Sequence, residues 1–238
     1  MVIAALLEAP KAFAKGGQIG RRPPDMPNLD VTPERLAAAL AARLIHDVMG
    51  PASGLVSAFD LMADPKAANM RGEALALAEE SARRLVDMLV VSRAIYAGGT
   101  PPSSDDVQTL GQRVVAETRA TLELSVDPSA LTAVTSRLTL GLVQVAAAAV
   151  PAGGAITAHL RSAGDRHIVE GRATGPRIRV EPAVVDGLAC RGPGDGQPHR
   201  WSAAYLLGAI AESAGGRIDA AVTKDSFSFR ADIKADTA

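Results

Sequence analysis

The sequence predicts an α+β chain: a long helical hairpin followed by an α/β sandwich. Three observations carry this. An apolar rhythm with spacings of 3 and 4 runs through Ile45, Val48, Ala52, Leu55, Phe59 and Met62, the signature of an amphipathic helix. Asp64-Pro65 interrupts it and a second stripe begins, through Leu75, Ala78, Ala82, Leu85, Leu89 and Ser92. Beyond Gly98-Gly99-Thr100-Pro101-Pro102 the pattern changes to short strands alternating with apolar helices, which suits helices on one face of a mixed sheet.

Taken in order, residues 1–30 read as a tail, because Gly16-Gly17, Arg21-Arg22-Pro23-Pro24 and Pro27 break any periodicity. Thr32-Pro33-Glu34 is a helix start: the threonine caps, the proline suits the first turn and the acid favours the positive end of the dipole. The first helix is expected over 32–63 and the second over 66–97, together making a hairpin unit at 31–98. Both stripes cannot be buried within one hairpin, so a homodimeric four-helix bundle is the economical arrangement; the alternative is that the hairpin packs only on its own C-terminal half. The second unit spans 104–235. Its expected elements are a helix over 106–120, a strand at Leu122–Val126 and an apolar helix from Leu138 to Val150, stopped by Pro151-Ala152-Gly153-Gly154. Strands at Ala155–Leu160 and His167–Arg172 follow, then a helix at Ala203–Ala214 and closing strands at Arg217–Val222 and Ser226–Ile233.

Composition excludes several function classes. Twenty-five basic and 26 acidic residues give a net charge of -1, which argues against nucleic-acid binding through counterion release. One cysteine, Cys190, excludes an internal disulfide and any multi-cysteine zinc site and suits a reducing cytoplasm. The apolar start Val2–Leu7 is too short for a secretory core or a membrane span. His159, His167 and His199 have strand or loop contexts and no second ligand at useful spacing, and Cys190 and His199 have nothing to complete a metal site. Gly192–Gly196 lacks the lysine of a phosphate loop and reads as a turn.

His46 follows core position Ile45 by about 100° of helical rotation, which takes it off the packed stripe. Asp47 adjoins it, and Pro51, five residues on, removes a helical amide nearby. An exposed imidazole is a good reversible phosphoryl carrier, and a neighbouring carboxylate fixes which ring nitrogen keeps the proton. Alone, His46-Asp47 reads as an ordinary surface histidine beside an ordinary surface aspartate.

His46-Asp47-Val48-Met49-Gly50-Pro51 resembles the phosphoacceptor box of sensor histidine kinases, which lies on the first helix of a dimeric hairpin followed by an ATP-binding sandwich. The second half departs from that pattern. In the segment resembling the asparagine box, Val145 and Gly141 stand where asparagines belong. In Val169–Ile178, which resembles the first glycine box, Ala173 replaces the adenine-reading aspartate and Arg177 a glycine. Trp201 and Ala203 occupy glycine positions of the last box, and no phenylalanine lies between residues 60 and 226 to serve the lid. Valine offers magnesium no oxygen, alanine accepts no hydrogen bond from adenine, and bulky Trp201 and Arg177 obstruct a phosphate cradle.

A phosphoacceptor hairpin joined to such a degenerate ATPase-like sandwich resembles the ChpT-like histidine phosphotransferases over residues 32–235. The resemblance rests on Ala42–Asp47, Gly50–Ser53, Ala149–Gly154, Thr174–Arg177 and Ala203–Leu206. It implies a cytoplasmic homodimer without a cofactor or metal of its own, with Mg2+ coming from the partner. Phosphate would come from the receiver domain of a hybrid histidine kinase, pass through His46 with Asp47 orienting the imidazole, and go on to response regulators of the CtrA and CpdR types. The alternatives are a divergent ATP-dependent kinase and a non-catalytic receiver-binding adaptor. Met49, Gly50, Ser53 and Ser57 share the helix side of His46 and form the expected receiver footprint; small side chains there equally avoid crowding near Pro51. Arg43 either steadies phosphoryl oxygens or contacts a receiver, the alternative being a solvated arginine, and Arg177 and Arg179 are candidates for docking the receiver from the sandwich.

Overall fold

The computed structural model describes residues 31–97, 99–100, 102–116, 118–192 and 198–235. The expected tail over 1–30 and all but the first residue of the Gly192–Gly196 turn lie outside them.

Helix α1 (Pro33–Ala63) starts where expected: the Thr32 hydroxyl accepts from the Arg35 amide at 3.3 Å, with Pro33 in the first turn. It runs unbroken through Pro51, whose missing N–H leaves the Asp47 carbonyl without its usual helical donor. The chain then turns through a 3-10 segment, Pro65–Met70, rather than the single tight turn expected, and α2 (Arg71–Tyr96) returns antiparallel. The two helices meet through small residues. A Cβ added at Gly54 would stand 2.6 Å from Ser81 Oγ, and Ala58, Ala74 and Ala78 are buried around that crossing.

The stripe expected to face a second copy divides. On α1 Val48, Ala52, Leu55 and Met62 are half-buried and on α2 Ala78 and Ser92 are buried, while the fully buried residues of α1, Ala39, Pro51 and Ala58, lie off the stripe. Ile45 and Phe59 remain 63% and 58% exposed, together with Val56, Leu75, Val86 and Leu89.

The second unit begins with α3 (Ser104–Ala116), shorter than the expected 106–120. Ser103 and Asp106 cap it reciprocally: the Asp106 amide donates to Ser103 Oγ, and the Ser103 amide donates to the Asp106 carboxylate. Then come β1 (Ala120–Val126), α4 (Ala133–Ala149), β2 (Gly154–Ala163), β3 (Arg166–Thr174), α5 (Pro182–Leu188), α6 (Pro198–Ser213), β4 (Arg217–Val222) and β5 (Ser226–Lys234). The sheet order is β1-β2-β3-β5-β4. β1 and β2 are parallel and the other pairs antiparallel, so the sheet is mixed as expected. Between α4 and β2 the chain reverses at Gly153, whose φ of +91° suits only glycine and where a Cβ would stand 2.8 Å from the Arg119 carbonyl oxygen.

The core lies between this sheet and α3, α4 and α6, with Leu138, Leu142, Ile156, Leu207, Phe227 and Phe229 buried within it. The opposite sheet face is ionic: Glu170 takes Arg161 at 3.0 Å and Arg230 at 2.7 Å. His199, expected in strand or loop, has its backbone in the first turn of α6.

Hairpin and sandwich are tied in two places. Arg137 on α4 donates to the Ile95 carbonyl at 2.8 Å and the Tyr96 carbonyl at 3.4 Å, closing the end of α2. Trp201 on α6, 1% exposed, has the Arg35 guanidinium 5.8 Å above its ring, and the Ser202 hydroxyl donates to the Ala39 carbonyl at 3.4 Å. So α1 packs on its own C-terminal half, and Trp201, expected to obstruct a phosphate cradle, is a buried joint between the two units.

Candidate functional site

His46 stands on α1 with its side chain 66% exposed. Its Nδ1 lies 3.2 Å from Asp47 Oδ1. A carboxylate only accepts, so Nδ1 carries the proton, and the lone pair falls on Nε2. Asp47 Oδ2 lies 3.5 Å from Arg43 Nε, one helical turn back, and Arg43 in turn hydrogen-bonds the Tyr96 hydroxyl at the end of α2. Burial pushes the Tyr96 hydroxyl pKa up; Asp47 adds to that rise and Arg43 opposes it. The result is a chain of contacts, Tyr96–Arg43–Asp47–His46, that braces the imidazole from one side. Arg43 is thereby drawn into the site rather than solvated alone.

Two clefts flank His46. The first, about 400 Å³, is walled by Arg43, His46 and Asp47 from α1, by Gln144 and Val145 from α4, by Arg179 and Glu181 before α5, and by Ala203 from α6. The second, about 560 Å³, runs between the hairpin and α3, with Gly50, Pro51, Arg84, Asp87, Met88 and Arg113 around His46. Arg113 pairs with Asp87 at 2.8 Å there.

The first cleft draws on two of the segments that resemble kinase nucleotide boxes, those of Val145 and of Ala203. Val145 and Ala203 are on its wall. At Gly141 an added Cβ would meet Leu207 Cδ2 at 2.4 Å, so the space for a side chain is already filled. Ala173 is buried on β3, paired with Ile156 and Phe227.

Of the expected receiver contacts, Met49, Gly50, Ser53 and Ser57 are exposed on α1. Arg179 is carried to the His46 cleft by its backbone amide, which donates to the Ala149 carbonyl at 2.9 Å. Arg177 is exposed and lies outside both clefts. Sequence reasoning missed Tyr96, Gln144, Arg84 and Glu181. Gln144 alone carried a signal, as the single polar residue between Gly141 and Ala149.

His159, His167 and Cys190 stay apart from this site. Burial pushes the Cys190 thiol up to about 11, with Glu212 adding to the shift. Among the described residues no group of three or more His, Cys, Asp or Glu is placed to hold a metal ion, and no helix is long and apolar enough to cross a membrane.

A bacterial phosphotransferase whose structure is known at 1.7 Å has the same fold, with a TM-score of 0.74 at 20% identity over 85% of this chain and 98% of that one. The Acinetobacter baumannii histidine kinase AdeS aligns with a TM-score of 0.44 at 12% identity over 81% of this chain and 98% of its own. The histidine kinase domain of the Erythrobacter litoralis EL346 blue-light activated kinase gives 0.43 at 9% identity over 78% and 95%. No curated protein matches the sequence. Residues 104–226, just over half of the chain, match the family model for the histidine phosphotransferase C-terminal domain; the chain belongs to the histidine phosphotransferase family.

Proposed function

We propose that this chain shuttles phosphoryl groups between receiver-domain aspartates through His46, as a cytoplasmic homodimer that draws on no ATP. The observation that carries the proposal is the His46 geometry: an exposed imidazole with Nδ1 held by Asp47, so that Nε2 is the outward nucleophile. In the forward step the Nε2 lone pair forms the N–P bond while the P–O bond to the receiver's aspartate breaks, its electron pair leaving on that carboxylate. The Nδ1 proton stays shared with Asp47 throughout. The reverse step hands the phosphoryl group to a second receiver. Magnesium belongs to the receiver's acidic pocket.

The positions that resemble the kinase nucleotide boxes support the reading without a magnesium nucleotide. Val145 and Ala203 supply no oxygen to the cleft, Gly141 has no room for a side chain, and Ala173 is buried. The receiver would lie over Met49, Gly50, Ser53 and Ser57, with Arg43, Arg177 and Arg179 at its edge. Dimerisation would cover the exposed stripe of Ile45, Val56, Phe59, Leu75, Val86 and Leu89. The donor is taken as the receiver of a hybrid histidine kinase and the acceptors as CtrA- and CpdR-type regulators.

The test is incubation of the full chain with radiolabelled ATP and, separately, with phosphorylated receivers of these types. Label arriving from a receiver alone is the expected result. Label from ATP indicates a kinase, and label from neither source indicates an adaptor; either overturns the proposal.

A further inference from the structure

The two clefts beside His46 share three residues: His46, Asp47 and Gln144. The first two are the phosphoacceptor and its brace on α1. The third comes from α4, in the middle of the sandwich. We infer that the Gln144 carboxamide donates a hydrogen bond to the phosphoryl group carried on Nε2 of His46, so that the sandwich completes the transfer site in its own chain. The inference rests on the reading of His46 as the phosphoryl carrier.

The placement follows from α4 itself. Leu140, Leu142, Val143, Ala146 and Ala147 are buried against the sheet and α6, which leaves Gln144 half-buried on the side facing α1. Among the described residues its carboxamide makes no hydrogen bond, so its two N–H donors are uncommitted. Arg179 lines only the first cleft and Arg84 only the second, and the remaining groups near His46 are engaged. Asp47 is an anion and repels phosphate, Arg43 is held by Asp47 and Tyr96, and Arg113 is held by Asp87. A neutral amide costs nothing beside an unphosphorylated histidine and gains a charge-assisted bond once a phosphoryl group arrives. It also leaves the group free to depart, as a shuttle requires.

The test charges the full-length chain with phosphoramidate, which delivers a phosphoryl group to histidine without any receiver. The phosphohistidine is then titrated by 31P NMR. A donor at Gln144 favours the dianion, so Gln144→Ala should raise the phosphoryl titration midpoint by several tenths of a pH unit. Gln144→Glu, which places a negative charge there, should raise it further, by about one unit. A purely structural role would leave the midpoint untouched, and identical titrations in the wild type and both variants overturn the inference. Equal charging of His46→Ala overturns both this inference and the assignment of His46. A normally charged His46 that exchanges with no receiver overturns the shuttle alone and leaves the Gln144 titration standing.

Discussion

Asp47 has two partners, Nδ1 of His46 at 3.2 Å and Nε of Arg43 at 3.5 Å. Replacing it with alanine removes both, so the imidazole loses the contact that fixes its tautomer and its rotamer. A hydrogen bond to a charged group is worth about 1.5–3 kcal/mol. Here the distance is long for such a bond and Asp47 is partly exposed, so solvent screens it, and about 1.5 kcal/mol is the appropriate figure. At about 1.4 kcal/mol per decade, Asp47→Ala should slow transfer from a phosphorylated receiver about tenfold. Asp47→Asn keeps an oxygen able to accept from Nδ1–H and loses only the charge; about threefold is expected. The assay is single-turnover transfer under excess receiver, with receiver affinity measured separately so that docking and chemistry are not confused. A rate for Asp47→Ala within twofold of the wild type would refute the bracing role of the carboxylate.

Three further outcomes follow from the same geometry. Tyr96→Phe preserves the ring and removes the hydroxyl that holds Arg43; transfer should slow about threefold with thermal stability changed by less than about 1 kcal/mol, and unchanged transfer would detach Tyr96 from the site. Trp201→Ala opens a cavity at the α1–α6 joint and should cost about 3–5 kcal/mol in urea unfolding; a loss under about 1 kcal/mol would mean that the joint is not held there. The Cys190 thiol, pushed from an ordinary 9.0 up to about 11, should react with a thiol reagent at pH 8 about 100-fold more slowly in the folded chain than in urea. Its folded pKa is the higher one, so its contribution to stability is whole below about pH 9 and is lost as the pH rises towards about 11.

The hairpin was legible because its signals are local. Thr32-Pro33 does cap α1, and the 3,4 spacing does run along it. The boundaries that slipped are set by side chains that periodicity does not see. Leu110, Val114 and Val115 continue an apolar rhythm that suggested a helix to 120. Thr118 instead ends it by donating its hydroxyl to the Val115 carbonyl at 2.7 Å and accepting from the Ala120 amide at 3.2 Å, and β1 begins at once. Helix α4 starts at Ala133, five residues before the expected Leu138, because Thr132 and Thr135 cap each other reciprocally. That signal was present in the sequence but outweighed by the apolar run behind it. Helix α5 was missed altogether: seven residues are too few for a period, and it stands on close packing of Gly187 against Ala204 and the Tyr205 amide.

At the site, His46 and Asp47 are neighbours in sequence and were readable together. Tyr96 and Gln144 reach them from α2 and α4, and only the fold brings them there. The kinase-like boxes were read as losses one position at a time. The structure adds what those losses make room for: Leu207 fills the space at Gly141, and Trp201 under Arg35 fastens α6 to α1.

The most direct test of the central claim is the position of the phosphoryl group itself. After incubation with a phosphorylated receiver, the charged chain is analysed by 31P NMR and peptide mapping, alongside His46→Ala. The account predicts one phosphohistidine, attached through Nε2 of His46 and absent from the variant. A phosphoryl group on Nδ1 of His46, on His159, His167 or His199, or still present in His46→Ala, would contradict it.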